Sequence, residues 1–173
     1  SGLGLLKSVA DPLRQLPELT FWLLGGLWAV TWTDLARMLP VVLPALAVVW
    51  LMRWRVSLLS LSDETAFSLG VAAGRERALL LAAAVAATSA VVAVAGVVGW
   101  VGLLVPHVAR RWAGTDARKS IPASMLLGGI FTLLCDNLAR TLTAGEIPLG
   151  ILTALLGSTL FMTLMIRHRG AKQ

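Results

Sequence analysis

Charged and nucleophilic side chains are scarce in this sequence, and their spacing first separates its possible chemistries. Asp136 and Arg140 stand four residues apart in an apolar run, where an acid and a following base meet across one helical turn. Charge at membrane depth is expensive and usually has a function or a partner. Two readings follow: a local ion pair, or an arginine pointing outward to receive an acidic partner. His107 has no acidic or second imidazole neighbour in sequence, so it reads as a structural or helix-end histidine and not a metal ligand. Cys135, the single cysteine, has no partner for a disulfide or a CxxC site and reads as a small lipid- or helix-facing residue. An intramembrane enzyme would need two aspartates or His-Glu-x-x-His within its spans, and only Asp136 is an interior acid. The sequence contains no Gly-x-x-x-x-Gly-Lys-Ser/Thr loop, so ATP hydrolysis would belong to another chain. No catalytic residue, metal site or cofactor is read.

A second stretch reads as a surface. Between two apolar runs lies Ser60-Leu-Ser-Asp-Glu-Thr-Ala-Phe-Ser-Leu-Gly70, with polar and apolar residues at helical spacing. Ser62 can cap a helix whose first turn carries Asp63 and Glu64, favourable against the helix dipole. Gly70 can end it in a left-handed conformation. Leu61, Thr65, Ala66 and Leu69 then present one face, either to the membrane surface or to a cytoplasmic partner. Further on, Gly96, Gly99 and Gly102 recur at a spacing of three, which would leave one helix face bare for close packing. Pro106 removes a backbone donor and predicts a kink near the cytoplasmic end.

These residues have to be positioned by membrane helices. Hydrophobic residues make up 57% of the 173, charged residues only 14%, against about 25% charged in a soluble domain. Mean hydropathy is +0.81. Five apolar runs, at 35–52, 78–98, 99–112, 121–142 and 147–166, predict five membrane-crossing helices in an all-α, polytopic bundle. The third run is short for a crossing and is expected to be tilted or covered by protein. The net charge of +6 does not make a nucleic-acid face, because the basic residues cluster at the ends of the apolar runs. Four lie between Arg53 and Arg77, four between Arg110 and Lys119 and three after Ile166: eleven of the fifteen Lys and Arg. Five crossings put these segments on one side, which is then the cytoplasm, with the C-terminus inside. The opposite loops, near Val98 and at 144–146, carry no Lys or Arg. Residues 1–34 read as an external segment with a short helix, opened at Asp11-Pro12, followed by an amphipathic stretch from Phe21 to Trp28. Trp22, Trp28 and Trp32 suit the membrane interface. This segment does not read as a signal peptide, so preceding transmembrane segments are expected upstream or on another chain.

The chain resembles the FecCD-type permease family, the transmembrane subunits of ABC importers for ferric siderophores, haem, cobalamin and molybdate. The resemblance runs from about Asp11 to Ile166. It rests on Phe21 to Leu27, Leu61 to Gly70, Gly99 to Arg110, Asp136 to Arg140, and Glu146-Ile-Pro-Leu-Gly-Ile-Leu-Thr-Ala-Leu-Leu-Gly157, in that order. It implies the C-terminal half of a ten-helix type II importer permease, residing multi-pass in the bacterial inner membrane and lacking its N-terminal half here. Residues 58–72, with Leu61 to Gly70 at their centre, would be the paired cytoplasmic coupling helices that rest on ABC ATPase subunits. Arg140, oriented by Asp136, would dock an acidic residue of a periplasmic substrate-binding protein. Thr153, Gly157 and Ser158 would line the pathway at the interface with a second permease subunit, identical or different. Two departures stand out: Ser62 where the family usually has Gly, and Thr159 where a Gly-x-Pro-x-Phe pattern places proline. The implied function is transport of an iron-siderophore or related chelate, with no enzymatic activity in this chain. The alternatives are another cargo (molybdate, haem or cobalamin) or a truncated, half-size scaffold that does not transport.

Overall fold

Helix α1 spans Gln15–Leu24, α2 Trp32–Leu58, α3 Ala73–Ala95, α4 Val101–Ala113, α5 Ala117–Thr141 and α6 Leu149–Gly170. The structure, a computed structural model, describes residues 15–59, 72–142 and 147–170. The Asp11-Pro12 helix start, the 61–70 segment and the 144–146 loop therefore lie outside the described residues. All regular structure among the described residues is helical.

Local chemistry sets where these helices begin. α2 opens on a capping box: the Thr31 hydroxyl accepts the Asp34 N–H at 3.3 Å, and the Asp34 carboxylate accepts the Thr31 N–H at 3.1 Å. α5 opens on Asp116, whose carboxylate accepts the Arg118 N–H at 3.0 Å. α2, α3 and α5 are long and apolar enough to cross a membrane; the apolar part of α6, Leu149–Leu164, is shorter. α4 has 13 residues, about 20 Å of helix against a hydrocarbon layer of about 30 Å. α2 runs six residues beyond the apolar stretch read from sequence, because Arg53, Trp54 and Arg55 continue the helix. The Arg53 guanidinium folds back over the Trp50 ring at 4.2 Å, so its stem stays with apolar surface.

α2 packs most extensively on α3 and α4 on α5, and α5 joins the two pairs through α2 while also touching α6. The buried positions are mostly small: Ala45, Ala83, Ala95, Ala109, Ala117, Cys135 and Ala139. Between membrane helices the hydrophobic effect is weak, and small residues let backbones approach closely enough to gain packing energy. Most large apolar side chains, such as Leu51, Leu81, Leu126 and Met162, point out of the bundle.

The five residues 96–100 between α3 and α4 are not helical. Gly96 ends α3 at φ 72°, and Trp100 precedes α4 at φ 67°, the one described non-glycine residue with positive φ. Gly96, Gly99 and Gly102 therefore do not share a helix face, contrary to the expectation from their spacing. Among the described residues, a side chain at Gly99 or Gly102 would meet nothing within 4 Å, whereas one at Gly96 would collide with the Trp22 carbonyl. Gly96 packs backbone to backbone because it stops a helix. Pro106 lies inside α4, partly buried.

Three glycines gather at this end. A Cβ on Gly25 would sit 2.5 Å from the Val97 carbonyl oxygen, and one on Gly150 would collide with the Leu24 carbonyl. Gly26 N–H donates to Ala95 O at 2.9 Å, and Leu149 N–H, the first of α6, donates to Gly25 O at 3.0 Å. The turn after α1 thus closes the end of α3 and caps the start of α6. Gly96→Ala or Gly150→Ala should lower the unfolding free energy in detergent by about 1–3 kcal/mol, since a backbone and not a flexible side chain must yield. Gly102→Ala should stay within about 0.5 kcal/mol. Thermal denaturation followed by circular dichroism distinguishes the two classes.

Candidate functional site

The two ends of the bundle differ in chemistry. At one end lie the C-terminus of α2 and the N-termini of α3 and α5, joined by side-chain bonds. Arg55 forms an ion pair with Glu76, and Arg77 Nη2 donates to Leu59 O at 3.0 Å. Leu59 is buried, with Leu58, Ala73 and Leu80 packed around it. Arg55 is exposed, which limits the ion pair to about 0.2–1 kcal/mol. The second Glu76 oxygen is buried and accepts no hydrogen bond among the described residues. These bonds hold together the two helix ends that flank residues 60–71. The residues read as a docking helix, Leu61, Ser62, Asp63, Glu64, Thr65, Ala66, Leu69 and Gly70, lie outside the described residues.

Beside this clamp, Ser57 of α2 meets the start of α5. Its hydroxyl donates to Asp116 Oδ1 at 3.1 Å and accepts the Ala117 N–H at 3.2 Å. The Arg118 guanidinium lies 4.3 Å over the Trp54 ring. The backbone N–H of Arg118, then the Ser57 hydroxyl and the charges of Arg118 and Lys119, hold the Asp116 carboxyl below its ordinary range. Arg53, Arg55, Arg77 and Arg118 make this the basic end.

At the opposite end, beside the glycine contacts, Arg140 Nε donates to Asp136 Oδ2 at 2.9 Å and Nη2 to Oδ1 at 3.3 Å. The pair is bidentate, yet the Arg140 side chain stays 46% exposed while Asp136 is 18% exposed. The local ion pair is formed: the aspartate fixes the guanidinium plane, and part of the guanidinium side chain stays exposed.

The three residues assigned to a pathway on α6 divide. Thr153 is fully buried and donates to Gly150 O at 3.1 Å. Gly157 seats Trp100, whose Cβ would lie 2.6 Å from a Cβ placed there. Both positions pack helices and do not line an open face. Ser158, on another side of α6, is partly exposed and donates to Leu155 O at 3.2 Å; it continues a stripe with Ile151, Leu155 and Met162, all exposed. Thr159 donates its hydroxyl to Leu155 O at 2.7 Å, and α6 runs unbroken past it. The Phe161 ring lies 6.3 Å from Trp100 and 6.2 Å from His107, so His107 belongs to an aromatic contact between α4 and α6. Cys135 is fully buried. Among the described residues no three metal-ligating side chains come together.

Sequence reasoning passed over Ser57, Asp116, Gly25 and Trp100. The Gly114-Thr115-Asp116 run before α5 was a cap signal, and Gly25-Gly26 a turn signal.

A model described as the FecCD transport family matches residues 3–167. The Fe(3+) dicitrate transport system permease protein FecC of Escherichia coli is 46% identical over 87% of this chain and 45% of its own length. The molybdate import system permease protein MolB of Haemophilus influenzae is 36% identical over 95% of this chain and 49% of its own. A solved structure, described as an inward-facing conformation of a metal-chelate type ABC transporter, superposes with a TM-score of 0.90 at 36% identity, covering 94% of this chain and 54% of that one. The chain spans about half the length of the curated relatives it matches.

Because the Asp116 value is lowered by folding, its contribution is present above the unfolded carboxylate pKa of about 3.9 and is lost as pH falls through the lowered folded value. Asp116→Ala should reduce the melting temperature at pH 7. The gap from wild type should shrink below about pH 4, in parallel thermal melts across pH.

Proposed function

The chain belongs to the FecCD transport family, and from that premise we propose that it forms half of the permease subunit of an ABC importer for a metal chelate. The family match across residues 3–167 carries this reading. The separation of a basic end from an outer end bearing Arg140 supports it.

The crossings are α2, α3, α4 with the 96–100 stretch, α5 and α6: the last five of a ten-helix permease in the bacterial inner membrane. Non-helical backbone is tolerated at membrane depth only where protein covers it. The turn after α1 supplies that cover, through Gly26 N–H on Ala95 O and the close contact of Gly25 with Val97. The basic end faces the cytoplasm, which places the C-terminus there as well.

Residues 61–70 dock on a separate ATPase subunit, and the Arg55–Glu76 pair with the Arg77–Leu59 bond makes both flanks of that segment move as one. Arg140, fixed by Asp136, receives an acidic residue of a periplasmic binding protein. Substrate passes between two permease subunits, along the open α6 stripe of Ile151, Leu155, Ser158 and Met162. The cargo is a ferric chelate, on the likeness to the iron dicitrate permease. Molybdate is the contrasting cargo, on the likeness to MolB.

The test uses this chain joined to its upstream half, co-expressed with the candidate ATPase subunit. The ATPase should co-purify in mild detergent, and replacing Asp63, Glu64 and Leu69 together should abolish that. Equal capture with both sequences would remove the docking assignment and favour a scaffold that does not transport. Arg140→Glu should leave ATPase capture intact and weaken binding-protein association about tenfold or more, by surface plasmon resonance. Uptake of labelled ferric citrate but not molybdate would fix the cargo, and the reverse would replace it.

A further inference from the structure

α5 is tied at its two ends to the two faces that an importer has to connect. At the basic end, Ser57 reaches across from α2 into its first turn, donating to Asp116 Oδ1 at 3.1 Å and accepting the Ala117 N–H at 3.2 Å. Asp116 in turn accepts the Arg118 N–H at 3.0 Å, so the foreign hydroxyl is built into the cap. Ser57 is two residues from Arg55, which pairs with Glu76, and two from Leu59, whose carbonyl Arg77 holds. Arg55, Ser57, Leu59, Glu76 and Arg77 all stand within six residues in sequence of the 60–71 segment. From Ala117 the helix continues to Thr141 over 25 residues, about 37 Å, and carries the Asp136–Arg140 pair near its far end.

We infer that the Ser57 hydroxyl is a positioning residue for energy coupling, latching the end of α2, which leads into residues 60–71, to α5 and through that helix to Arg140 on the opposite face. The inference rests on the transport reading above. Displacement of the docking segment drags the end of α2. The Ser57 bonds are directional, so they convert that displacement into a shift of the α5 N-terminus. α5 runs as one continuous helix, with Pro122 near its start removing a single backbone donor, and carries the shift along its axis. Apolar contact between α2 and α5 would let the two slide. Coupling is reciprocal in binding free energy: if binding protein at Arg140 alters nucleotide affinity, nucleotide alters binding-protein affinity by the same factor, and stimulation of hydrolysis uses the same path without that equality. Loss of the latch therefore reduces both effects together, which a merely structural cap would not do.

Ser57→Thr keeps the hydroxyl, and Ser57→Val matches the threonine variant in shape without it. Full-length permease carrying each is assembled with its ATPase subunits in lipid nanodiscs, and ATP hydrolysis is read with and without binding protein loaded with ferric citrate. The threonine variant should match wild-type stimulation within about twofold. The valine variant should assemble and hydrolyse ATP at the basal rate, while stimulation and the ATP-dependent change in binding-protein affinity each fall about fivefold or more. Equal stimulation of the valine and threonine variants overturns the latch while leaving the transport reading in place. If valine prevents assembly, Ser57→Ala is compared with wild type on the same two readouts, and undiminished stimulation overturns the latch equally. A wild-type complex that binds no ATPase subunit, or shows no stimulation, overturns the transport reading and the latch with it.

Discussion

Backbone-to-backbone contact among three glycine positions is the constraint on which the rest of this chain depends. Gly25 lies against Val97, Gly96 against Trp22 and Gly150 against Leu24, each with no room for a side chain. The carbonyl of Gly25 caps α6 and the N–H of Gly26 closes on the end of α3. Because these contacts are made by main chain, they fix the relative positions of α1, α3 and α6 with little slack. Trp100, the residue before α4, lies over Gly157 of α6. The opposite end is joined differently: Arg55 to Glu76, Arg77 to Leu59 and Ser57 to Asp116 are side-chain bonds. One end is clasped by backbone and the other by side chains that can exchange partners.

The helices were legible in the sequence because an apolar solvent demands long runs with every backbone group bonded internally. Their ends were less so. α2 outruns its apolar stretch because Arg53, which a hydropathy count scores as a stop, folds its stem back over Trp50 and lets the helix continue. Gly96, Gly99 and Gly102 suggested a packing face, and the spacing was sound for a continuous helix. A left-handed glycine at the first of them broke the continuity.

The site was legible in part. Asp136 and Arg140 are neighbours in sequence, and their bidentate pair followed from helical spacing. Ser57 and Asp116 lie 59 residues apart, and nothing local in either announces the other. Thr153 and Gly157 were placed on a pathway by resemblance, yet they turn inward, beneath Trp100 and against the start of α6. The resemblance identifies the helix, whereas the direction each residue faces depends on how that helix is rotated against α4.

The small residues that fill the interfaces also decide the fate of the one thiol. Cys135 has no accessible surface within the bundle, although it stands next to Asp136, whose partner Arg140 is half exposed. Alkylating reagents act on exposed thiolates, so maleimides and methanethiosulfonates will pass over this side chain for as long as α5 stays packed. This stretch of the protein thus arrives chemically silent: cysteines introduced along the exposed face of α6 would report their own accessibility, and any modification of Cys135 would record the opening of the bundle.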